Sequence, residues 1–374
     1  MSDTEEAAEF EKELKSLQTV KTDMTAMNNK IDLFRVVLNT RKYELVSDVP
    51  IGRGGFGQVF KVRHLNTKEL LALKTMELKS GNHLSRNRFL SFVNEVKALK
   101  KNPHKNIIEL IDNFVVKQYC FTILELANGG DLSKRLKRKY LDSRQTYTES
   151  EAIDYFGQIV SAIHFVHTNG LTHGDLKLEN ILIVIDKQRQ ETLKVTDFGC
   201  AQVGINQQNH QLNLMNSATG TVVYMSPEQL RVYLCNNLNR PDLFKNPTHN
   251  YNPFRSDIWA LGICLYRLLF YEHPYDYDFN NELQSLPLML NSMKAAINAP
   301  KRYTNHVSNQ CMDLLRNLLN YQKDARIDIQ MVVRHVWLRD CPHLTYIFAK
   351  KQQQKRKTRK SKTKANTKKT KSKP

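Results

Sequence analysis

Three glycines in "IGRGGFGQVF", Gly52, Gly54 and Gly57, stand in a G-x-G-x-x-G between two runs of strand-forming residues. Lacking a Cβ, such positions let backbone N–H groups approach phosphate oxygens closely. A dinucleotide-binding fold needs a helix directly after the third glycine. Here a strand, "QVFKV", follows instead. The dinucleotide reading therefore fails, and the glycines lie in a loop that joins strands.

From Tyr43 the chain runs through short β segments, "YELV", "QVFKVRH" and "ELLALKTM", separated by turn material. Phe89, Phe92, Val93, Val96 and Leu99 then recur at helical spacing in "RFLSFVNEVKALKK". Two more strands, "IELIDNFVV" and "YCFTILEL", complete a five-stranded unit with one helix. After "NGGD", helical periodicity dominates in "AIDYFGQIVSAIHFVHTNG", "DIWALGICLYRLLF" and "NQCMDLLRNLLN". The pattern predicts an α+β, bilobal fold, with a small β-rich N-lobe over residues 41–126 and a larger α-helical C-lobe over 127–345. Residues 1–40 read as an acidic helical extension. Phe10, Leu14, Leu17, Met24, Ile31 and Phe34 fall near a 4-3 alternation that Lys21 and Asn28 interrupt. Such imperfect heptads suit packing back onto the domain as well as a helix-mediated partner.

The formal net charge of +19 is unevenly spread. Residues 350–374 hold thirteen Lys or Arg and no acid, leaving +6 for the other 349 residues. From 350 on, this basic tail, set at 346–374, has no aromatic or aliphatic residue beyond one Ala and reads as disordered. It suits a nuclear import signal, a polyanion, nucleic-acid or acidic-membrane contact, or a solubilising terminus. No apolar run approaches ~18 residues and the acidic start lacks a signal-peptide pattern, so an intracellular, cytoplasmic or nuclear protein is expected. The six cysteines are scattered singly, without zinc or disulfide spacing.

Lys74, in the apolar strand "LALKTM", needs a counter-charge, and Glu95 beside the apolar stripe of the next helix supplies one. Strand, glycine loop, strand, strand with Lys, helix with Glu: this order resembles the eukaryotic protein kinases. Further motifs follow in family order over residues 43–345. "HGDLKLEN" is similar to the catalytic loop, "VTDFGCA" to the metal-binding turn, and "YMSPEQL" to the close of the activation segment. "SDIWALG" resembles the helix under the catalytic loop, and Arg326 in "DARID" the partner of Glu228.

The resemblance implies ATP and Mg²⁺, with Mn²⁺ as a substitute, and protein substrates bearing Ser or Thr. By the same resemblance Asp175 orients or accepts the substrate hydroxyl proton, Asn180 and Asp197 are metal ligands, and Lys74, paired with Glu95, holds the phosphates. Lys177 and Thr221 match positions that bridge to the catalytic Asp in Ser/Thr kinases. The nucleotide cleft implied is Ile51, Gly52, Gly54, Gly55, Gly57, Val59, Ala72, Leu124, Glu125, Ala127 and Leu182.

H-G-D also occurs in small-molecule kinases of related fold, but those generally lack the S-P-E closure and the paired arginine. A non-catalytic scaffold is the other alternative, and it typically loses the lysine or one of the two aspartates, all present here. Gly174 stands where the family usually has an arginine that pairs with an activation-segment phosphate. Dependence on phosphorylation of Ser217 or Thr219 should therefore be reduced, unless a residue such as Lys194 replaces that arginine. Glu179 and Asp131 match acids that attract an upstream arginine, Arg267 opposes that reading, and "SKRLKRKY" is a strongly basic helix face. The consensus is left open, as is the oligomeric state. The Asn- and Pro-rich 229–256 stretch, longer than the family norm, reads as a surface loop near the substrate groove.

Overall fold

The computed structural model describes residues 30–54, 57–80, 83–205, 211–278, 282–295, 307–345 and 347. The expected change from β to α is present. The N-lobe is a six-stranded sheet of β1 (Tyr43–Leu45), β2 (Gly52–Arg53), β3 (Gly57–His64), β4 (Leu70–Glu77), β7 (Leu110–Val116) and β8 (Tyr119–Glu125). Its order is β1-β3-β4-β8-β7, with β2 beside β3 and every pairing antiparallel. A two-residue pair, β5 (Lys79–Ser80) and β6 (His83–Leu84), leads into α2 (Arg86–Lys101).

Both faces of this sheet are covered. On one, α2 presents Phe89, Phe92, Val93 and Val96 to Met76, Leu78, Val115 and Cys120. On the other, α1 (Lys30–Thr40) buries Leu33, Phe34, Val37 and Leu38 against Phe60, Val62, Leu71, Leu73, Phe121 and Ile123. The Phe34 ring meets Phe60, Tyr119 and Phe121 edge-on, with centroids 6.1, 5.3 and 5.1 Å away. Phe34 is thus spent inside this lobe and is unavailable to a coiled-coil seam. Phe10, Leu14, Leu17 and Met24 lie outside the described residues, as do residues 348–374 of the basic tail, whereas Ile347, counted with that tail, is buried in the C-lobe core.

The C-lobe is built on α4 (Glu149–Thr168), α6 (Pro253–Phe270) and α8 (Asn309–Leu318), with α3 (Leu132–Ser143), α5 (Pro227–Val232), α7 (Glu282–Ser292) and α9 (Ile329–Val332) around them. Fifteen of the eighteen residues of α6 are buried, which makes it the central helix. A capping box at Thr148 and Glu151 satisfies the first amides of α4. Short pairs β9 (Leu171–Thr172) with β12 (Gln202–Val203), and β10 (Ile181–Ile185) with β11 (Glu191–Val195), lie at the top of the lobe and carry the loops of interest. The Glu228–Arg326 pair forms as expected, with Nη1 to Oε1 at 2.6 Å and Nη2 to Oε2 at 3.0 Å, beneath Trp259. The 229–256 stretch is not the loose loop its composition suggests. A π-helical turn, Tyr233–Asn237, continues α5, and a 3₁₀ turn, Pro241–Leu243, follows. Among the described residues no helix is long and apolar enough to cross a membrane.

Candidate active site

Lys74 sits mid-strand on β4, opposite Val59 of β3 and Thr122 of β8. Its position in the sheet aims the ammonium at α2 and at the turn after β11. There Nζ lies 2.8 and 2.9 Å from the two Glu95 oxygens and 2.8 Å from Asp197 Oδ1. Burial alone would depress the lysine pKa, but the two carboxylates outweigh it and hold it above the ordinary value. Asp197 is burdened by burial too, and the charge and hydrogen bond of Lys74 carry its pKa below the usual carboxylate range. The Asp197 backbone is left-handed, φ 64 and ψ 65, a conformation that costs a non-glycine residue ~1–3 kcal/mol. Phe198, buried with its ring 4.8 Å from that of His173, anchors the turn in this strained form.

The Asp175 carboxylate accepts from four donors. Thr221 N at 2.7 Å and Thr221 Oγ1 at 2.8 Å reach Oδ1, while Lys177 Nζ at 2.7 Å and Asn180 Nδ2 at 3.3 Å reach Oδ2. Lys177 Nζ also donates to Thr221 Oγ1 at 2.6 Å. A carboxylate has about four lone-pair sites. The contact of Asn180 is the longest of the four. Beneath the loop, the buried Asp257 of α6 accepts from His173 N at 2.8 Å and Gly174 N at 3.0 Å, with His167 Nε2 at 2.8 Å. Burial works against its charge, yet His167, His173 and the backbone N–H keep its pKa below the usual carboxylate range. Asp257 thus fixes the backbone that presents Asp175.

The glycine loop is a tight hairpin closed by Gly54 N to Gly57 O at 3.0 Å. A Cβ on Gly57 would lie 1.8 Å from Thr75 O, so the approach of β4 by itself requires this glycine. Gly54 has open space where a Cβ would be, and Gly55 lies outside the described residues. Ala72 and Leu124 are paired in register, and Val59 and Leu182 pack against the same cluster. Ile51 is exposed at the rim, Ala127 is half-buried, and Gly52 pairs with Val59.

The family model for the protein kinase domain matches residues 45–338. This chain belongs to that family. "Probable serine/threonine-protein kinase fhkD" of Dictyostelium discoideum is 31% identical over 291 residues, covering 78% of this chain and 36% of that protein. "Probable myosin light chain kinase DDB_G0271550" of the same organism is 29% identical over 290 residues, 77% of this chain and 64% of that one. "Calcium-dependent protein kinase 5" of Plasmodium falciparum is 30% identical over 289 residues, 77% of this chain and 44% of that one. The chain thus spans between 36% and 64% of the length of these relatives.

Around this kinase site, the other residues singled out in the sequence find partners of their own. Lys194 does not replace the family arginine: it lies on β11 and its Nζ is 2.8 Å from Glu125 Oε2 at the lobe junction. Asp131 caps α3, accepting from Lys134 N at 2.8 Å. Glu179 is 3.4 Å from Arg267 and accepts from Ser133 Oγ at 2.7 Å, so neither acid offers an undivided charge to a substrate. In the basic helix, Lys134, Arg135 and Lys139 pair with Asp131, Glu191 and Glu151. Burial and the charges of Asp175 and Asp197 push the pKa of the Cys200 thiol up to about 11. Sequence reasoning missed the support that Asp257 and His167 give. The resemblance of "SDIWALG" to the helix under the catalytic loop placed the helix, but not which of its side chains bonds the loop.

Proposed function

We propose that this chain is an ATP-dependent Ser/Thr protein kinase whose dependence on activation-segment phosphorylation is reduced. The observation that carries the reading is the bridge of Lys177 between Asp175 and Thr221. It couples the loop that would meet the nucleotide to the segment that would hold a peptide. In the reaction, the bond between the γ-phosphorus and the bridging oxygen breaks and a bond to the substrate hydroxyl oxygen forms. Asp175 receives the hydroxyl proton, and Lys177 stabilises the charge near the transferring group. Lys74, oriented by Glu95, holds the phosphates.

The residues present fit a hard divalent ion. Asp197 Oδ1 is bonded to Lys74 and Asn180 Nδ2 to Asp175 O at 2.8 Å, while Asp197 Oδ2 and Asn180 Oδ1 accept no hydrogen bond among the described residues. Two open oxygens suit Mg²⁺, which keeps several waters and takes phosphate oxygens as further ligands, and Mn²⁺ would use the same donors. When bound, the ion would neutralise charge on the phosphates.

Reduced phosphate dependence is supported by Gly174, which has no side chain to pair with a phosphate, and by the engagement of Lys194 with Glu125. The test is Mg²⁺-dependent transfer from ATP to arrayed Ser/Thr peptides by phosphatase-treated protein, beside an Asp175→Asn control. Activity that falls ~10²–10⁴-fold in the control is expected for loss of the base. A folded, ATP-binding protein without transfer would instead mean either a required activator or the scaffold alternative. A Ser217→Ala, Thr219→Ala double variant should keep its activity within about tenfold.

A further inference from the structure

The activation segment is held in place without an arginine before Asp175, and its polar partners come from the 229–256 stretch. Met215 and Tyr251 exchange both backbone hydrogen bonds at 2.9 Å, as neighbouring strands do. Gln229 Nε2 donates to Thr219 O at 2.8 Å. Between these two ties stand Asn236 and Asn237, the last residues of the π-helical turn. Asn236 Nδ2 donates to Asn216 O at 2.6 Å and to His249 O at 3.2 Å, while its Oδ1 lies 2.7 Å from His249 Nδ1. Asn237 engages both backbone groups of Ala218, accepting from its N–H at 3.3 Å and donating to its C=O at 3.1 Å. Ala218, Val232 and Tyr251 are buried together beneath, with Met215 and Tyr233 against them.

We propose that Asn236 and Asn237 are positioning residues that hold 215–219 of the activation segment in place of a phosphate–arginine pair, and so keep Thr221 on Asp175 and Lys177. The proposal rests on the kinase reading above and supplies a mechanism for its phosphate independence. Two adjacent amides can do this because π-helical widening adds a residue to the turn, and such widenings recur at functional sites. Amides also satisfy a backbone N–H and C=O simultaneously, which neither a carboxylate nor an ammonium does. The ties are neutral, so ordering of the segment should not respond to salt, whereas a phosphate–arginine pair at the surface is screened.

The experiment is hydrogen exchange of residues 211–221 in the phosphatase-treated full chain, comparing wild type, an Asn236→Ala, Asn237→Ala double variant, and Asn237→Asp. The aspartate keeps the acceptor for Ala218 N–H but sets a second oxygen against Ala218 O. Exchange in this segment should quicken by about tenfold or more in the double variant and also in Asn237→Asp. Exchange in α4 and α6 should stay unchanged, KM for peptide should rise, and KM for ATP should not. Unchanged protection of 211–221, equal loss of protection across the C-lobe, restoration of protection in Asn237→Asp, or a wild-type segment whose protection falls with salt would each overturn the proposal. Should the phosphatase-treated wild type transfer no phosphate, the reading of phosphate-independent activity fails, while the exchange comparison still decides whether the two amides order the segment.

Discussion

Gly174 offers the sharpest test of how this site is assembled, because its replacement by the family's usual arginine should damage the enzyme. Its φ of +81 lies in the left-handed region. An L-residue there costs ~1–2 kcal/mol. A Cβ would also stand 2.3 Å from Cys200 O and 3.0 Å from the attached carbon, so the backbone after Phe198 must retreat by close to an ångström. Strain and displaced packing together come to ~2–4 kcal/mol. At ~2–4 °C per kcal/mol for a domain somewhat smaller than this one, melting should fall by about 5–10 °C. Gly174→Ala adds only the offending Cβ and should suffer nearly the whole loss. The retreat also pulls on Asp197, three residues before Cys200, so kcat/KM should drop by about tenfold or more in both variants. Thermal melts and peptide phosphorylation, each before and after phosphatase, measure these effects. A Gly174→Arg protein as stable as wild type and newly sensitive to phosphatase would refute the reasoning, since it would mean that the backbone accepts a side chain and lacks only the guanidinium.

Two further outcomes follow from buried charges. Arg326 is fully enclosed, bonded to Glu228, Arg255 O and Asn320 O, so Arg326→Met strands the Glu228 carboxylate and should cost ~3–5 kcal/mol, read as a shifted urea midpoint. An unchanged midpoint would show that the pair is dispensable. Asp257 has a folded pKa below the ordinary ~3.9, so its contribution is complete above that value and is lost as pH falls through the folded pKa. The stability gap between wild type and Asp257→Asn should therefore be widest near neutrality and shrink below about pH 4. A gap of constant size in unfolding experiments across that range would contradict the assignment.

Lys74 and Glu95 were legible in the chain because each breaks a periodic apolar pattern, the lysine in a strand and the glutamate beside a helix stripe. Asp175, Lys177, Asn180 and Asp197 were legible through short local strings in a fixed order. Lys194 could be named as a substitute for the arginine only because the sequence does not show direction, and antiparallel pairing with Leu182 places its side chain against Glu125. Phe34 showed a helical seam, but only the sheet's open face decided that the seam would close on this lobe.

By itself, then, the chain determined the two-lobed α+β order, which follows from side-chain periodicity and backbone preference over a few residues, and it named the candidate reacting groups through motifs that resemble a family's. The tertiary structure alone decided who supports them. Asp257 beneath the catalytic loop, Asn236 and Asn237 against the activation segment, and Arg267 against Glu179 join residues far apart in the chain. A polar side chain in "CNNLN" or "SDIW" carries the same hydrogen-bonding capacity wherever it lies. Which buried donor or acceptor it must satisfy is set only when packing brings that group within about 3 Å and excludes the water that would otherwise serve.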